Sequence, residues 1–319
     1  MLTYKLQQGE GLAWQIMATE ELEAVIKEMA SIMELKAGWA DETPRLIFVQ
    51  RAENALPIDH LEEDFREGLP EEDWSATDLG SVRLWSNPQV PDAICEFQGQ
   101  MSHYTKIVSM LKSLYPIYAE VQNRGGLPMH AGLVEWNGMG VLLAAPWNTG
   151  KSTCCRRISP PWRALCDDEM LIVREKGKLL AHPFPTWSDY IWKRSRATWD
   201  VERSVPLSAI FFLEQSETDD VAPIGPAQSA IYSTEISSQV WKRFWSDMGG
   251  EAGKSLRGKL LENACRLAAE IPAFVLKVSL TGRFWEKMET ALTEPTIFKT
   301  NIKQPMVEGY GGRSLVLSK

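Results

Sequence analysis

Hydrophobic and polar positions alternate over residues 2–7, residues 12–17 are apolar except for Gln15, and the two stretches predict strands around a turn at Gly9 and Gly11. Thr19 then stands where a helix cap belongs, and a helix is predicted to residue 32. Glu20 and Glu21 fall in its first turn, where negative charge suits the helix dipole. Residues 46–50 predict another strand. Residues 53–80 are acidic and turn-rich, with Glu62, Glu63, Asp64, Glu71, Glu72 and Asp73, and read as a solvated face. Over residues 102–122, Ile107, Met110, Leu111 and Leu114 keep a helical spacing. Pro116 predicts a kink or a division there, and Gly125-Gly126 an end.

The pattern changes after residue 126. Residues 130–136 predict a strand, Asn137-Gly138 a tight hairpin turn, and residues 141–144 a short buried strand. Residues 152–158 can form a helix of about two turns before Pro160-Pro161 stops it. Residues 169–174 and 179–182 pair as a hairpin around Gly177. Strands are expected at 209–213 and 274–280, and helices at 256–270 and 283–292. The organisation expected is a small α+β domain at 1–125, a second domain with a mixed sheet at 126–292, and a Gly-rich tail at 293–319. The fold class is α/β with α+β elements.

Composition narrows the function classes. Apolar residues at 44% and charged residues at 24% suit a globular core. A formal net charge of -8 argues against a nucleic-acid partner, which needs a basic face. No apolar run reaches the ~18 residues of a membrane helix, and residues 1–5 lack a signal-like apolar core. A cytoplasmic protein without a membrane partner is expected. The five cysteines, Cys95, Cys154, Cys155, Cys166 and Cys265, make a poor disulfide framework, and the Cys154-Cys155 pair lacks zinc spacing. The 13 tryptophans read as core and interface packing.

The chemistry centres on Ala145-Pro146-Trp147-Asn148-Thr149-Gly150-Lys151-Ser152-Thr153. It follows G-x-x-x-x-G-K-[ST] with Ala145 in place of the first glycine. Such a loop curls so that main-chain N–H groups face a phosphate. Gly150 permits close approach, Lys151 reaches the β- and γ-oxygens, and Ser152 offers its hydroxyl to magnesium. A buried strand before the loop and a helix after it supply the required context. Alanine is tolerated at 145 if its φ is negative. Further on, the apolar residues 164–166 run into Asp167-Asp168. One carboxylate can hold magnesium and the other can accept a hydroxyl proton. Neighbours on a strand face opposite ways, so the two should differ in task.

Residues 127–169 resemble the catalytic domain of HPr serine kinases, which share a phosphate-loop fold with phosphoenolpyruvate carboxykinases. The matching residues are Leu127-Pro128-Met129-His130-Ala131-Gly132-Leu133-Val134, then 138–143 and the loop, then Leu165-Cys166-Asp167-Asp168-Glu169. A looser likeness extends to residue 292. Residues 182–189, together with 151–157, are similar to the SynChlorMet cassette protein ScmC group, kinase-like proteins named for gene cassettes with radical-SAM enzymes. The resemblance implies an ATP- and Mg2+-dependent kinase acting on a Ser or Thr hydroxyl of a peptide or small protein. It implies Asp167 as general base, Asp168 with Ser152 on magnesium, the two assignments being exchangeable, and His130 beside the transferred phosphoryl group. The family's Glu- and Arg-containing signature is missing between Asp168 and Ser208, so neither phosphorolysis nor HPr itself as acceptor is expected.

Several assignments stay open at this level. Arg156 and Arg157 are near enough to the loop to neutralise phosphate. His182, Thr186 and Ser188 are candidate acceptor contacts, whereas Trp187 reads as core. Lys193, Arg194 and Arg196 form a basic cluster that either binds an acidic substrate or solvates a helix face. A nucleotide-gated peptide-binding or chaperone module and a small-molecule kinase, for instance on free serine, remain alternatives, as does homo-oligomerisation.

Overall fold

A computed structural model describes residues 2–38, 43–51, 57–245 and 250–293. In chain order the first part contains β1 (Thr3–Gln7), β2 (Ala13–Ala18), α1 (Glu23–Ile32), β3 (Lys36–Ala37), β4 (Arg45–Gln50), α2 (Glu63–Arg66), β5 (Ser75–Asp78), β6 (Val82–Asn87) and β7 (Val90–Phe97). Two helices follow, α3 (His103–Ser113) and α4 (Tyr115–Asn123). The second part runs β8 (Leu127–Met129), β9 (Ala131–Trp136), β10 (Met139–Ala144), α5 (Lys151–Arg157), β11 (Arg163–Cys166), β12 (Glu169–Glu175), β13 (Lys178–Phe184) and α6 (Trp187–Ile191). It ends with β14 (Val205–Gln215), β15 (Asp220–Ile224), α7 (Pro226–Trp245), α8 (Gly250–Glu270), β16 (Ala273–Val278) and α9 (Phe284–Thr293). The fold is α+β, with two mixed sheets. Among the described residues no helix is long and apolar enough to cross a membrane. The expected tail lies, from residue 294 on, outside the described residues.

The first sheet has the order β3-β1-β2-β4-β7-β6-β5, with β2, β4 and β7 parallel. Its inner face, including Leu6, Ile16 and Phe48, packs under α1 and α3, and its other face buries Met17, Ile47 and Ile94 against Phe65 of α2. The second sheet runs β11-β9-β10-β14-β13-β12-β8, and β14 also pairs with β16. Strands β10, β14 and β16 are parallel. They are buried on both faces: Val141 and Leu143 pack with α5 and α9, and Leu142 and Ala144 with α7. One continuous core joins the two sheets through α3 and α4, from Phe48 and Phe97 to Tyr118 and Ile172.

Several sequence expectations need correction. The helix expected from Thr19 begins with a 3-10 turn, Glu20–Leu22, and the Thr19 hydroxyl does not cap it. The division expected at Pro116 does occur: the long helix splits at Leu114, with Pro116 in the first turn of α4, where a missing N–H costs nothing. His130 is not inside a strand but between β8 and β9. The hairpin of β6 and β7 falls in a stretch for which the sequence pattern predicts no element. Helix α7 was missed because Ser229, Ser233 and Ser237 interrupt its buried face, which mutes the apolar period. The turns at Asn137-Gly138 and Lys176-Gly177 do hold the left-handed conformations that tight hairpins require.

Gly126 joins α4 to β8 at a close approach. A Cβ there would overlap the carbonyl oxygen of Ile172 and lie 3.0 Å from that of Val121. Both obstacles are main chain, so Gly126→Ala is expected to cost about 1–3 kcal/mol, read as a lower urea midpoint.

Candidate active site

The second sheet changes partners along two neighbouring strands. Strand β8 pairs with β12, and after His130 the chain continues as β9, paired with β10 and β11. Alongside it, β11 ends at Cys166, and after Asp167-Asp168 the chain continues as β12. His130 and the Asp pair are therefore matching links between the two half-sheets. At such links the side chains are released from the ladder and can converge on one point. They do: His130 Nε2 lies 3.0 Å from Asp168 Oδ1. The carboxylate acceptor assigns a proton to Nε2.

The predicted loop follows β10. Ala145 keeps a negative φ, as its side chain requires, and the left-handed positions are Asn148 (φ 63°) and Gly150 (φ 112°). Asparagine tolerates that region better than most residues, and a Cβ at Gly150 would meet nothing within 4 Å. Lys151 is buried, and its Nζ donates to the carbonyls of Ala145 (2.9 Å) and Pro146 (3.2 Å) and lies 3.5 Å from His130 Nδ1. Burial pulls its pKa down to about 8, against the upward pull of Asp168, Cys155 and Asp167. The N–H groups of Lys151, Ser152 and Thr153 open α5 and have no partner within the helix. At seven residues α5 carries only a small dipole, so amides and ammonium provide most of the positive field. Gly132 lets α5 lie close on β9, since a Cβ there would sit 2.5 Å from Cys155 Sγ.

The two carboxylates have different surroundings. Burial raises the Asp168 pKa, but the hydrogen bond and field of His130, with the charges of Arg243 and Lys151, outweigh it and hold the group below its ordinary value. Arg243 lies 4.0 Å from Asp168 Oδ2 and forms an ion pair with Glu169. Glu169 is fully buried and also accepts from the Tyr118 hydroxyl. Asp167 accepts a 2.6 Å hydrogen bond from the Thr186 hydroxyl. Ser152 Oγ lies 3.5 Å from the Asp167 carbonyl, so the loop and the pair adjoin. Gln239 Oε1 is 2.7 Å from His130 Nδ1. Sequence reasoning missed Gln239, Arg243 and Tyr118. The first two lie one turn apart on α7, and only the i, i+4 spacing of two polar residues among Val240, Trp241 and Phe244 hinted at a shared face.

These groups line one cleft of about 1100 Å³, with His130, Trp147, Asn148, Gly150, Lys151, Ser152 and Thr153 on one side and Asp167, Asp168, Thr186 and Ser188 on the other. Arg156, Asp189, Arg194 and Arg243 also face it. Burial and the neighbouring Asp167 raise the Asp189 pKa. Pro146 and Thr149 turn instead toward an adjoining hollow with Leu213, Glu214 and Gln215. Two candidates stand elsewhere. His182 is buried and hydrogen-bonds the Val201 carbonyl at 3.2 Å through Nδ1. Arg157 donates to the carbonyls of Ser279 (2.6 Å) and Gly282 (2.5 Å) and ties α5 to the link between β16 and α9. Trp187 is core, as its sequence reading has it. The donor set of ammonium, free amides, a hydroxyl and two carboxylates fits a nucleoside triphosphate with a divalent cation. Among the described residues no three His, Cys, Asp or Glu side chains group to hold a metal.

Two stability effects follow from this burial. Arg243→Ala leaves Glu169 buried without its cation and is expected to cost about 3 kcal/mol in urea unfolding, whereas Arg243→Met combined with Glu169→Leu recovers most of that loss. Lys151 has a folded pKa of about 8, below its unfolded 10.5, so its charge opposes folding below pH 8. A Lys151→Met protein should be more stable than the parent at pH 7, on the order of 3 kcal/mol. The gap should close as pH rises from about 8 toward 10.5, since over that range the unfolded parent binds more protons than the folded one.

The comparisons with known proteins bear on the same region. No curated protein matches the sequence. A family model described as SynChlorMet cassette protein ScmC matches residues 93–293, from β7 to the last turn of α9, and so includes every residue of the cleft. With well over half of the 319 residues inside that match, the chain belongs to the SynChlorMet cassette protein ScmC family.

Proposed function

We propose that the protein is an HPr kinase-like, ATP-dependent phosphotransferase that acts on a Ser or Thr hydroxyl of a peptide or small protein. The observation that carries this reading is the convergence of Lys151, His130 and Asp168 beside an Asp167 carboxylate that faces the same cleft. Phosphoryl transfer needs little covalent chemistry from a protein; it needs positioning and charge neutralisation. The groups present supply both.

In this reading the loop amides and Lys151 bind the triphosphate. Ser152 and Asp168 would hold Mg2+, which would neutralise charge on the phosphate oxygens. Asp168 is a poor base, because its cationic neighbours favour the ionised form. Asp167 has a lighter load, one hydroxyl donor from Thr186, and takes the proton of the acceptor hydroxyl. The acceptor oxygen forms a bond to the γ-phosphorus as the bond to the ADP oxygen breaks, and the proton ends on Asp167. His130 is held by Asp168 and Gln239 beside Lys151, whose ammonium the Ala145 and Pro146 carbonyls hold in place.

Incubation with Mg-ATP and candidate peptides, followed by mass spectrometry, should show an added phosphoryl group on a Ser or Thr. Asp167→Asn should lower that transfer by roughly 10²–10⁴-fold with Mg-ATP affinity retained, and Lys151→Ala should weaken Mg-ATP binding itself. Tight Mg-ATP binding with no phosphorylated product from any acceptor would favour a nucleotide-gated binding module. No Mg-ATP binding by calorimetry sinks both readings.

A further inference from the structure

Beyond Asp167 the cleft is bounded by the segment from α6 to Trp199, which is tied down along its length. The main-chain N–H of Arg194 donates to the Asp189 carbonyl (2.8 Å), the Tyr190 hydroxyl to the Ala197 carbonyl (2.6 Å), and the N–H of Trp199 to the Ile32 carbonyl (2.9 Å). His103 of α3 reaches the Tyr190 carbonyl at 2.9 Å. That contact sets the side chain of Tyr104 beside Trp192, with ring centroids 6.5 Å apart. Both rings face solvent, at 55% and 60% exposure, among the most exposed large apolar side chains described. Lys193, Arg194 and Arg196 follow directly and are exposed. Among the described residues none of these three side chains forms an ion pair, although elsewhere on the surface most arginines do. Arg194, together with Arg156, also faces the cleft. A chain of net charge -8 therefore presents three cations without an ion pair among the described residues, and two bare aromatic rings, on a segment that runs into its cleft.

We propose that Tyr104, Trp192, Lys193, Arg194 and Arg196 form the docking surface for the acceptor, a polypeptide segment carrying acidic side chains and an apolar residue near its hydroxyl. This rests on the phosphotransferase reading for the word acceptor but not for the docking itself. Complementary charge steers and registers such a segment, and the rings cover its apolar side chain. A peptide fits better than a nucleic acid or an anionic membrane. Asp167, Asp168 and Asp189 line the continuation of the same surface and repel an unbroken run of phosphates, whereas peptide carboxylates can be spaced around them.

The test measures binding of fluorescein-labelled peptides by anisotropy, with the full chain and no nucleotide. Three peptides of equal length place Asp and Glu, Gln, or Lys around one Ser and one Leu. The acidic peptide should bind at least roughly tenfold more tightly than the neutral one, with the basic one weakest, and added salt should shrink the difference. Lys193→Glu/Arg196→Glu should remove the preference, and Trp192→Ala should weaken acidic and neutral peptides alike. Both variants should keep the parent's unfolding midpoint and Mg-ATP affinity. Equal binding of the three peptides overturns the proposal, as does an unchanged preference in the charge-reversed variant, or tighter binding of a single-stranded oligonucleotide or of phosphatidylserine vesicles. Acidic-peptide binding without phosphoryl transfer leaves the docking surface standing and counts against the phosphotransferase reading alone.

Discussion

The hydrogen bond between His130 and Asp168 joins the two places where the chain passes from one half-sheet to the other, and the rest of the cleft is arranged around it. Leaving a ladder exposes main-chain groups and turns side chains in directions a regular strand does not allow. Here both departures occur side by side, so a buried ring and a half-buried carboxylate meet. The carboxylate requires compensation, and it comes from three directions: His130 from the β8–β9 link, Lys151 from the loop, and Arg243 from α7. Arg243 in turn shares its charge with Glu169, which follows Asp168 directly and is closed off by Tyr118 of α4. Cations and carboxylates thus alternate from the loop to the interior.

Helix α7 is the less obvious half of this arrangement. Its small buried serines allow a close approach to β8, where Ser237 Oγ donates to the Pro128 carbonyl at 2.5 Å. That contact sets the helix against the strand that ends at His130. Gln239 and Arg243, two and six residues further on, then reach His130 and the Asp168-Glu169 pair. A larger residue at 237 would push the helix outward and loosen both contacts. The serines are a packing requirement of the site as much as of the core.

The family match begins at residue 93, inside the first sheet, and that sheet is not a detached neighbour. Its core continues through α3 and α4 into the second sheet, and α3 supports the segment from α6 to Trp199. The first sheet therefore has a mechanical connection to the far wall of the cleft.

Local chemistry was legible in the sequence wherever it depended on consecutive residues. The strand, loop and short helix around 139–157 were readable because Gly150, Lys151 and Ser152 act through main-chain geometry within a few residues. Asp167-Asp168 at the end of an apolar run was readable for the same reason, and both tight hairpin turns follow from residues that accept positive φ. The contacts of His130, Gln239 and Arg243 were decided only by tertiary structure. His130 and Gln239 are 109 positions apart. No spacing rule connects them, and the helix that brings them together hides its period behind buried serines. Nor could the sequence assign different environments to two adjacent aspartates: that difference arises from which cations the folded chain carries to one of them, and burial makes those charges count.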